Sequence, residues 1–227
     1  MLTAVIVAGG SSRRMGFDKT FAKLGDQPVI AHTIAAFERT ASVAEIIVVG
    51  RQGRLDELGK LLRELGFSKV RDVVAGGEHR QDSVKFGLGL LRESGDEFVA
   101  IHDAARPLVT QRQIEDVFAA AREHGAAALA TRVADTLKRA DEDLFVSGSV
   151  DRDHLFAMQT PQIFRRQLIA EAYRRVFSDG VSVTDEVSAV ERLGQKVMLV
   201  ECTEPNFKIT YPADLALAAL VLRTRVD

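Results

Sequence analysis

Short apolar runs alternate with amphipathic stretches along most of the chain. Ala4 to Ala8, Ile46 to Val49, Val70 to Val74 and Phe98 to Ile101 are rich in β-branched residues without regular polar alternation, so each reads as a strand buried on both faces. Between them, Ile30, Ile34 and Phe37 recur at i, i+4 and i+7, with Pro28 expected in the first turn of that helix. Leu55 to Leu65 is also helical, and Ile114, Val117, Phe118 and Ala121 form an apolar stripe behind a Thr110/Gln113 capping box. Gln81 to Leu91 reads as a helix although Gly87 and Gly89 each cost about 1 kcal/mol there relative to alanine, so both are expected to pack closely against a neighbour. This alternation predicts an α/β fold, a mostly parallel sheet with helices on both faces.

The pattern changes after Ala126. Ala127 to Val133 is another buried strand, but residues 135–155 alternate polar and apolar around Asp141-Glu142-Asp143, which predicts a protruding β-hairpin arm. A hairpin has little core of its own and needs a second surface, and a two-fold homodimer is the commonest source of one. The chain then returns through Thr160-Pro161-Gln162, a helix carrying Ile169, Tyr173 and Val176, a helix opened by Thr184-Asp185-Glu186, a strand at Val197 to Val200, and a last helix with Pro212 in its first turn. No Pro/Gly/Ser-rich linker divides the 227 residues, so they read as one domain, 1–227, with 135–155 as a dimerisation arm.

Composition narrows the partners. With 30 basic against 32 acidic residues the net charge is −2, and two tyrosines without a tryptophan offer little base stacking, so nucleic acid is not an expected partner. No apolar run is long enough to span a bilayer, and the N-terminus runs apolar first and basic afterwards, the reverse of a secretory signal. The single cysteine, Cys202, fits a reducing, cytoplasmic setting. An anionic ligand must therefore be held by a local cluster of charge.

Such clusters fall at strand ends, where open parallel sheets bind ligands. Gly9, Gly10, Ser11, Ser12, Arg13, Arg14 and Lys19 follow the first strand, Gly76 to Ser83 the third and His102 to Pro107 the fourth; Asp135-Thr136 lies further on. A Gly-Gly pair after a strand is more often a tight turn than a phosphate site, but three cations on the same loop reverse those odds. The loop is neither a GxGxxG fingerprint nor a P-loop. Asp103 has three readings: a metal ligand, an acceptor for a sugar hydroxyl, or a partner for Arg106. His102 lacks a nucleophile or carboxylate at recognisable spacing and reads as structural. Thr184 reads equally as a helix cap, Arg152 as an exposed charge, and Lys208 as a solvated side chain pointing off the buried face of a strand.

Taken together, AGGSSRRM with Lys19, GGEHRQDSV, HDAARP, DTLKR, VDR, TPQIF, TDEVSAVE and NFKIT resemble the 2-C-methyl-D-erythritol 4-phosphate cytidylyltransferases nearly end to end. The resemblance implies a Rossmann-like fold and transfer of CMP from CTP to the phosphate of a polyol phosphate. It also implies Mg²⁺ held mainly by the CTP phosphates, with Asp103 as a further candidate ligand, and a homodimer. Position by position it implies that Arg14, Lys19 and Lys208 are catalytic. Ala8, Gly9, Gly10, Ser11, Ser12, Arg13, Gly76, Gly77, Arg80 and Ser83 would bind CTP. Asp103, Arg106 and Thr184 would bind the acceptor, with Thr136 and Arg152 reaching a neighbouring subunit's substrate. Asp18 stands where the family usually has proline, a local form shared with the guanylyltransferase of molybdenum cofactor synthesis, which leaves the pose of Lys19 open. A ribitol-5-phosphate cytidylyltransferase is the nearest alternative, with Ala105 favouring methylerythritol; a non-catalytic nucleotide-binding module is the alternative of a different class.

Overall fold

The computed structural model describes residues 1–10, 15–92 and 97–225. The first of its strands is β1 (Leu2–Val7); the miniature hairpin β2 (Lys23–Leu24) and β3 (Gln27–Pro28) leads into helix α1 (Val29–Arg39). Then follow β4 (Val43–Gly50), α2 (Leu55–Glu64), β5 (Val70–Ala75), α3 (Arg80–Leu88), β6 (Phe98–Asp103), α4 (Gln111–His124) and β7 (Ala126–Arg132). The arm is β8 (Leu137–Ala140) and β9 (Val146–Val150), and the chain ends with β10 (Phe156–Arg165), α5 (Arg166–Ser178), α6 (Glu186–Glu191), β11 (Met198–Glu201) and α7 (Pro212–Thr224).

Seven strands form one sheet in the order β11-β7-β10-β6-β1-β4-β5. Successive residues of β1 face opposite sides, as a strand's period of two requires. Leu2, Ala4 and Ile6 join Ile34, Phe37 and Ile114 in the core beneath α1, α2 and α4, while Val5 joins Val84, Ile169 and Val176 in the core beneath α3, α5 and α6. The expected layers are therefore present. After β1 the chain builds β4 and β5 on one side and returns to β6 on the other, so Val7 stands in register with Val49 and with Asp103. That reversal opens a crevice beyond the carboxyl ends of β1 and β6, the place where doubly wound sheets bind ligands.

Three local readings need correction. The return segment Thr160-Pro161-Gln162 is the middle of β10, an antiparallel strand between β6 and β7. Pro161 hides that strand in the sequence, yet it is tolerated because the β7 register breaks between Met158 and Gln162 and pairing with β6 begins at Gln162. Pro28 precedes α1 as its N-cap instead of lying in its first turn. Asn206 to Thr210 is irregular and not a strand. Its path is set by Asn206, whose Nδ2 donates to Thr160 O at 3.0 Å, and by Ile209 N, which donates to Ala105 O at 2.8 Å.

The glycines of α3 separate into two cases. A Cβ on Gly87 would lie 2.4 Å from Val5 Cγ1 and 3.1 Å from Val49 Cγ2, so this helix packs directly on β1 and β4 as expected. Gly89 is the residue after the helix, and a Cβ there would meet nothing closer than 3.4 Å. Thermal unfolding should distinguish them: Gly87→Ala is expected to be destabilised, since overpacking costs about 1–3 kcal/mol and outweighs the helix-propensity gain, whereas Gly89→Ala should match or slightly exceed the parent. Equal midpoints for the two variants would mean that α3 does not rest on the sheet in this way.

Candidate active site

Four strand ends, of β1, β4, β5 and β6, are joined below the crevice by three backbone hydrogen bonds: Ala8 N donates to Val49 O at 2.7 Å, Gly76 N to Gly50 O at 2.7 Å and Ala104 N to Val7 O at 3.0 Å. Above them lies a cleft of about 350 Å³. Gly9, Gly10 and Lys19 form one side of it, Gly77, Arg80 and Ser83 another, and Asp103 with Lys208 the far end. Ser83 ties the second loop to α3, because its Oγ accepts from Gly77 N at 3.2 Å. Gly76 lies behind this wall, where a Cβ would come within 2.5 Å of Ser83 Oγ. The Ser83 side chain, with Gly50 O at 3.3 Å beside it, thus leaves no room for a Cβ here.

A second cavity of about 320 Å³ opens on the other side of Arg80, Asp103 and Lys208, and is completed by Arg106, Gln162 and Thr184 among others. The two cavities share those three charged residues as a common wall. Asp103 is its centre: Oδ1 accepts from Arg80 Nε at 2.9 Å and Oδ2 from Lys208 Nζ at 2.7 Å, while Arg106 Nε stands 4.0 Å away. The alternative in which Asp103 serves only Arg106 is therefore set aside, and so is the solvated reading of Lys208. Burial alone would raise the Asp103 carboxyl, but Arg80, Lys208 and Arg106 outweigh it and hold the group far below the usual carboxylate range.

That arrangement also bears on metal binding. Both Asp103 oxygens are committed to cations, and among the described residues no group of three or more His, Cys, Asp or Glu side chains could hold a metal ion.

Lys19 enters the first cleft with Nζ donating to Ile209 O at 2.9 Å. Asp18 fixes the backbone beside it. Its Oδ1 accepts from Thr20 N at 3.0 Å and its Oδ2 pairs with Arg54 at 3.1 Å, while the Arg54 guanidinium stacks on Phe21 at 3.7 Å. An aspartate at this position therefore constrains the lysine by an Asx turn and a clamped ion pair. Ser11, Ser12, Arg13 and Arg14 lie outside the described residues. Thr136 and Arg152 are exposed at the base of the arm and line neither cavity of their own chain; Arg152 donates to Ala134 O.

His102 is structural. It is fully buried, 5.0 Å from the Phe37 ring, with Nδ1 at 3.1 Å from Thr160 Oγ1 and Nε2 at 3.3 Å from Arg106 O. Thr160 Oγ1 already accepts from Asp103 N, so its own hydrogen goes to Nδ1 and the imidazole is the neutral Nε2–H tautomer. Glu186, Tyr173 and Gln162 were missed as parts of the site. Asp185, not Thr184, caps α6, accepting from Ser188 N at 2.9 Å, whereas Glu186 is fully buried behind the wall. Its signal in the sequence is a carboxylate at i with Ala189 and Val190 at i+3 and i+4, on the apolar face of a short helix.

Burial lowers the His102 pKa from 6.5 to about 3. The neutral form is the one the fold accepts, so this stability is fully present above the unfolded value and is lost as pH falls from about 6.5 towards 3, at up to about 1.4 kcal/mol per pH unit. Imidazole NMR signals should show His102 untitrated down to pH 4; an inflection near 6.5 would contradict its burial between Phe37 and Thr160.

Comparison with known proteins agrees with this geometry. The family model for 2-C-methyl-D-erythritol 4-phosphate cytidylyltransferase matches residues 2–224. Relatives of that name from Dehalococcoides mccartyi and Desulforamulus reducens are 41% and 42% identical, over 97% and 99% of this chain and 95% and 97% of theirs. The crystal structure of 4-diphosphocytidyl-2C-methyl-D-erythritol synthase from Anaerococcus prevotii is 30% identical, with a TM-score of 0.86 over 98% of this chain and 96% of its own. That of the Thermus thermophilus cytidylyltransferase is 30% identical, with a TM-score of 0.80 over 97% and 98%. The chain thus belongs to the 2-C-methyl-D-erythritol 4-phosphate cytidylyltransferase family.

Proposed function

We propose that this chain transfers CMP from CTP to 2-C-methyl-D-erythritol 4-phosphate, giving 4-diphosphocytidyl-2-C-methyl-D-erythritol and diphosphate. The observation that carries this reading is the pair of cavities divided by one charged wall, Arg80, Asp103 and Lys208. Two anions that must react need neighbouring compartments with cations between them. CTP is assigned to the first cavity, with Ala8, Gly9, Gly10, Gly77 and Ser83 around the nucleoside and Lys19 towards the phosphates. Ser11, Ser12, Arg13 and Arg14 would complete the phosphate loop. The acceptor is assigned to the second cavity, against Asp103, Arg106 and Thr184.

The chemistry needs no general base. A phosphate monoester has its second pKa near 6 (about) and is already largely dianionic at neutral pH. One of its oxygens attacks the α-phosphorus in line, forming the new P–O bond as the bond to the bridging α–β oxygen breaks and diphosphate departs with that electron pair. The barrier is electrostatic repulsion in the approach and charge growth on the leaving group. Lys208, now on Asp103, would move to the α-phosphate, and Lys19, now on the Ile209 carbonyl, to the leaving diphosphate. Nucleotidyltransferases generally use a divalent metal; Mg²⁺ carried in on the triphosphate would suit a site whose own carboxylate is already paired, and would supply neutralisation of phosphate charge.

The arm supports a homodimer. Leu144, Phe145 and Val146 at its tip are exposed, and its two strands form a sheet of their own. We assign Thr136 and Arg152 to the second cavity of a neighbouring copy. Among the described residues no helix is long and apolar enough to cross a membrane.

Diphosphate release should require CTP and 2-C-methyl-D-erythritol 4-phosphate together; turnover with ribitol 5-phosphate alone would replace the proposed acceptor. Lys19→Ala and Lys208→Ala are each expected to lower kcat by about 10²-fold or more, as when one preorganised donor to a transition-state charge is removed. Near-normal kcat in either variant would remove that lysine from the reaction. Mixing Arg152→Ala with Lys19→Ala after subunit exchange should recover about a quarter of wild-type activity, since half of statistically formed dimers carry one intact site. No recovery would confine each site to a single chain.

A further inference from the structure

Glu186 has no part in the reaction just described, yet it is a carboxylate buried directly behind the wall. Both oxygens face Arg80: Oε1 accepts from NH1 at 2.7 Å and Oε2 from NH2 at 2.9 Å, while Tyr173 OH donates to Oε1 at 2.8 Å. Burial and the Glu186 charge push the Tyr173 phenol well above its usual range, so the hydroxyl remains a donor. With its fork held at that end, Arg80 directs Nε to Asp103 Oδ1 at 2.9 Å. A continuous chain of charge-assisted contacts thus runs from α5 through α6 and α3 to the carboxyl end of β6. Fold stability is a poor reason for it, because a buried ion pair can often be replaced by apolar groups without loss.

We propose that Glu186, supported by Tyr173, is a positioning residue for the acceptor half of the site: it orients Arg80, and through Arg80 the Asp103 carboxylate, for the polyol phosphate. This rests on the assignment of the second cavity to the acceptor. The direction of the effect follows from what Glu186 adjoins. Its backbone N–H donates to Gln162 Oε1 at 3.1 Å, and Gln162 and Asp185 line the second cavity and not the first, while Arg80 lines both. Gly9, Gly77 and Ser83, on the nucleotide side, have no contact with it in the network described.

Calorimetric titration of the full-length chain tests this without requiring turnover. The titrants are CTP alone, and 2-C-methyl-D-erythritol 4-phosphate in the presence of a non-hydrolysable CTP analogue. Loss of a charge-assisted hydrogen bond predicts that Glu186→Gln weakens acceptor binding about ten-fold, with CTP affinity within about two-fold. Tyr173→Phe should weaken the acceptor about three-fold by loss of one hydrogen bond, and the double variant should match Glu186→Gln alone, because the tyrosine acts through the glutamate. Equal loss for both ligands, multiplying effects in the double variant, or an unchanged acceptor affinity would overturn the proposal. If Glu186→Gln does not fold, Tyr173→Phe decides: selective acceptor weakening supports it and unchanged binding overturns it. Acceptor binding without diphosphate release in the wild type would count against the assigned reaction and leave this positioning role standing.

Discussion

Asp103 places a buried negative charge at the carboxyl end of β6, between Arg80 Nε at 2.9 Å and Lys208 Nζ at 2.7 Å. Coulomb attraction is strong in so sheltered a place, and neither cation could be brought so close to the other without the carboxylate between them. The rest of the molecule is arranged to hold these three groups. The central sheet fixes Asp103 against Val7, α3 presents Arg80 from its first residue, and Asn206 anchors the irregular segment that delivers Lys208. The same three residues line both cavities, which is why the proposed meeting of two anions is placed at this wall.

Asp103 stands between two cations, its oxygens paired with Arg80 and Lys208. Arg80, Lys208 and Arg106 hold its carboxyl far below the usual carboxylate range despite its burial. In the proposed reaction this counter-ion would keep Lys208 beside the growing charge and leave the lysine exchangeable. Phosphate, with more charge than a carboxylate, can compete for it. Three neutral neighbours are tied into the same network: His102 bonds Thr160, Thr160 receives Asp103 N, and Gln162 receives the first amides of α6.

Much of this was legible in the sequence. The buried strands and amphipathic helices announce themselves by period, and the glycine-rich and charged stretches at strand ends mark the crevice before any coordinates are drawn. What was hidden follows from particular residues. Pro161 conceals β10 because a proline normally argues against an interior strand, and only the broken register accommodates it. Lys208 reads as a solvated side chain because apolar neighbours suggest a strand, whereas its path depends on Asn206 bonding Thr160, 46 positions earlier in the chain. Glu186 reads in the sequence only as part of the helix start Thr184-Asp185-Glu186; its buried contacts are with Tyr173 and Arg80, 13 and 106 positions away. Periodicity is local, and such pairings are not. The resemblance pointed to Lys208 and Asp103 separately, while their contact required the structure.

The central claim is that the acceptor phosphate attacks CTP directly across the Arg80–Asp103–Lys208 wall, with no residue of the chain bonded covalently to the nucleotide. The stereochemical course at phosphorus tests it most directly. With CTP carrying a chiral α-thiophosphate, a single in-line displacement gives product of inverted configuration. Retention would require two displacements and a nucleotidylated side chain, and would contradict the account.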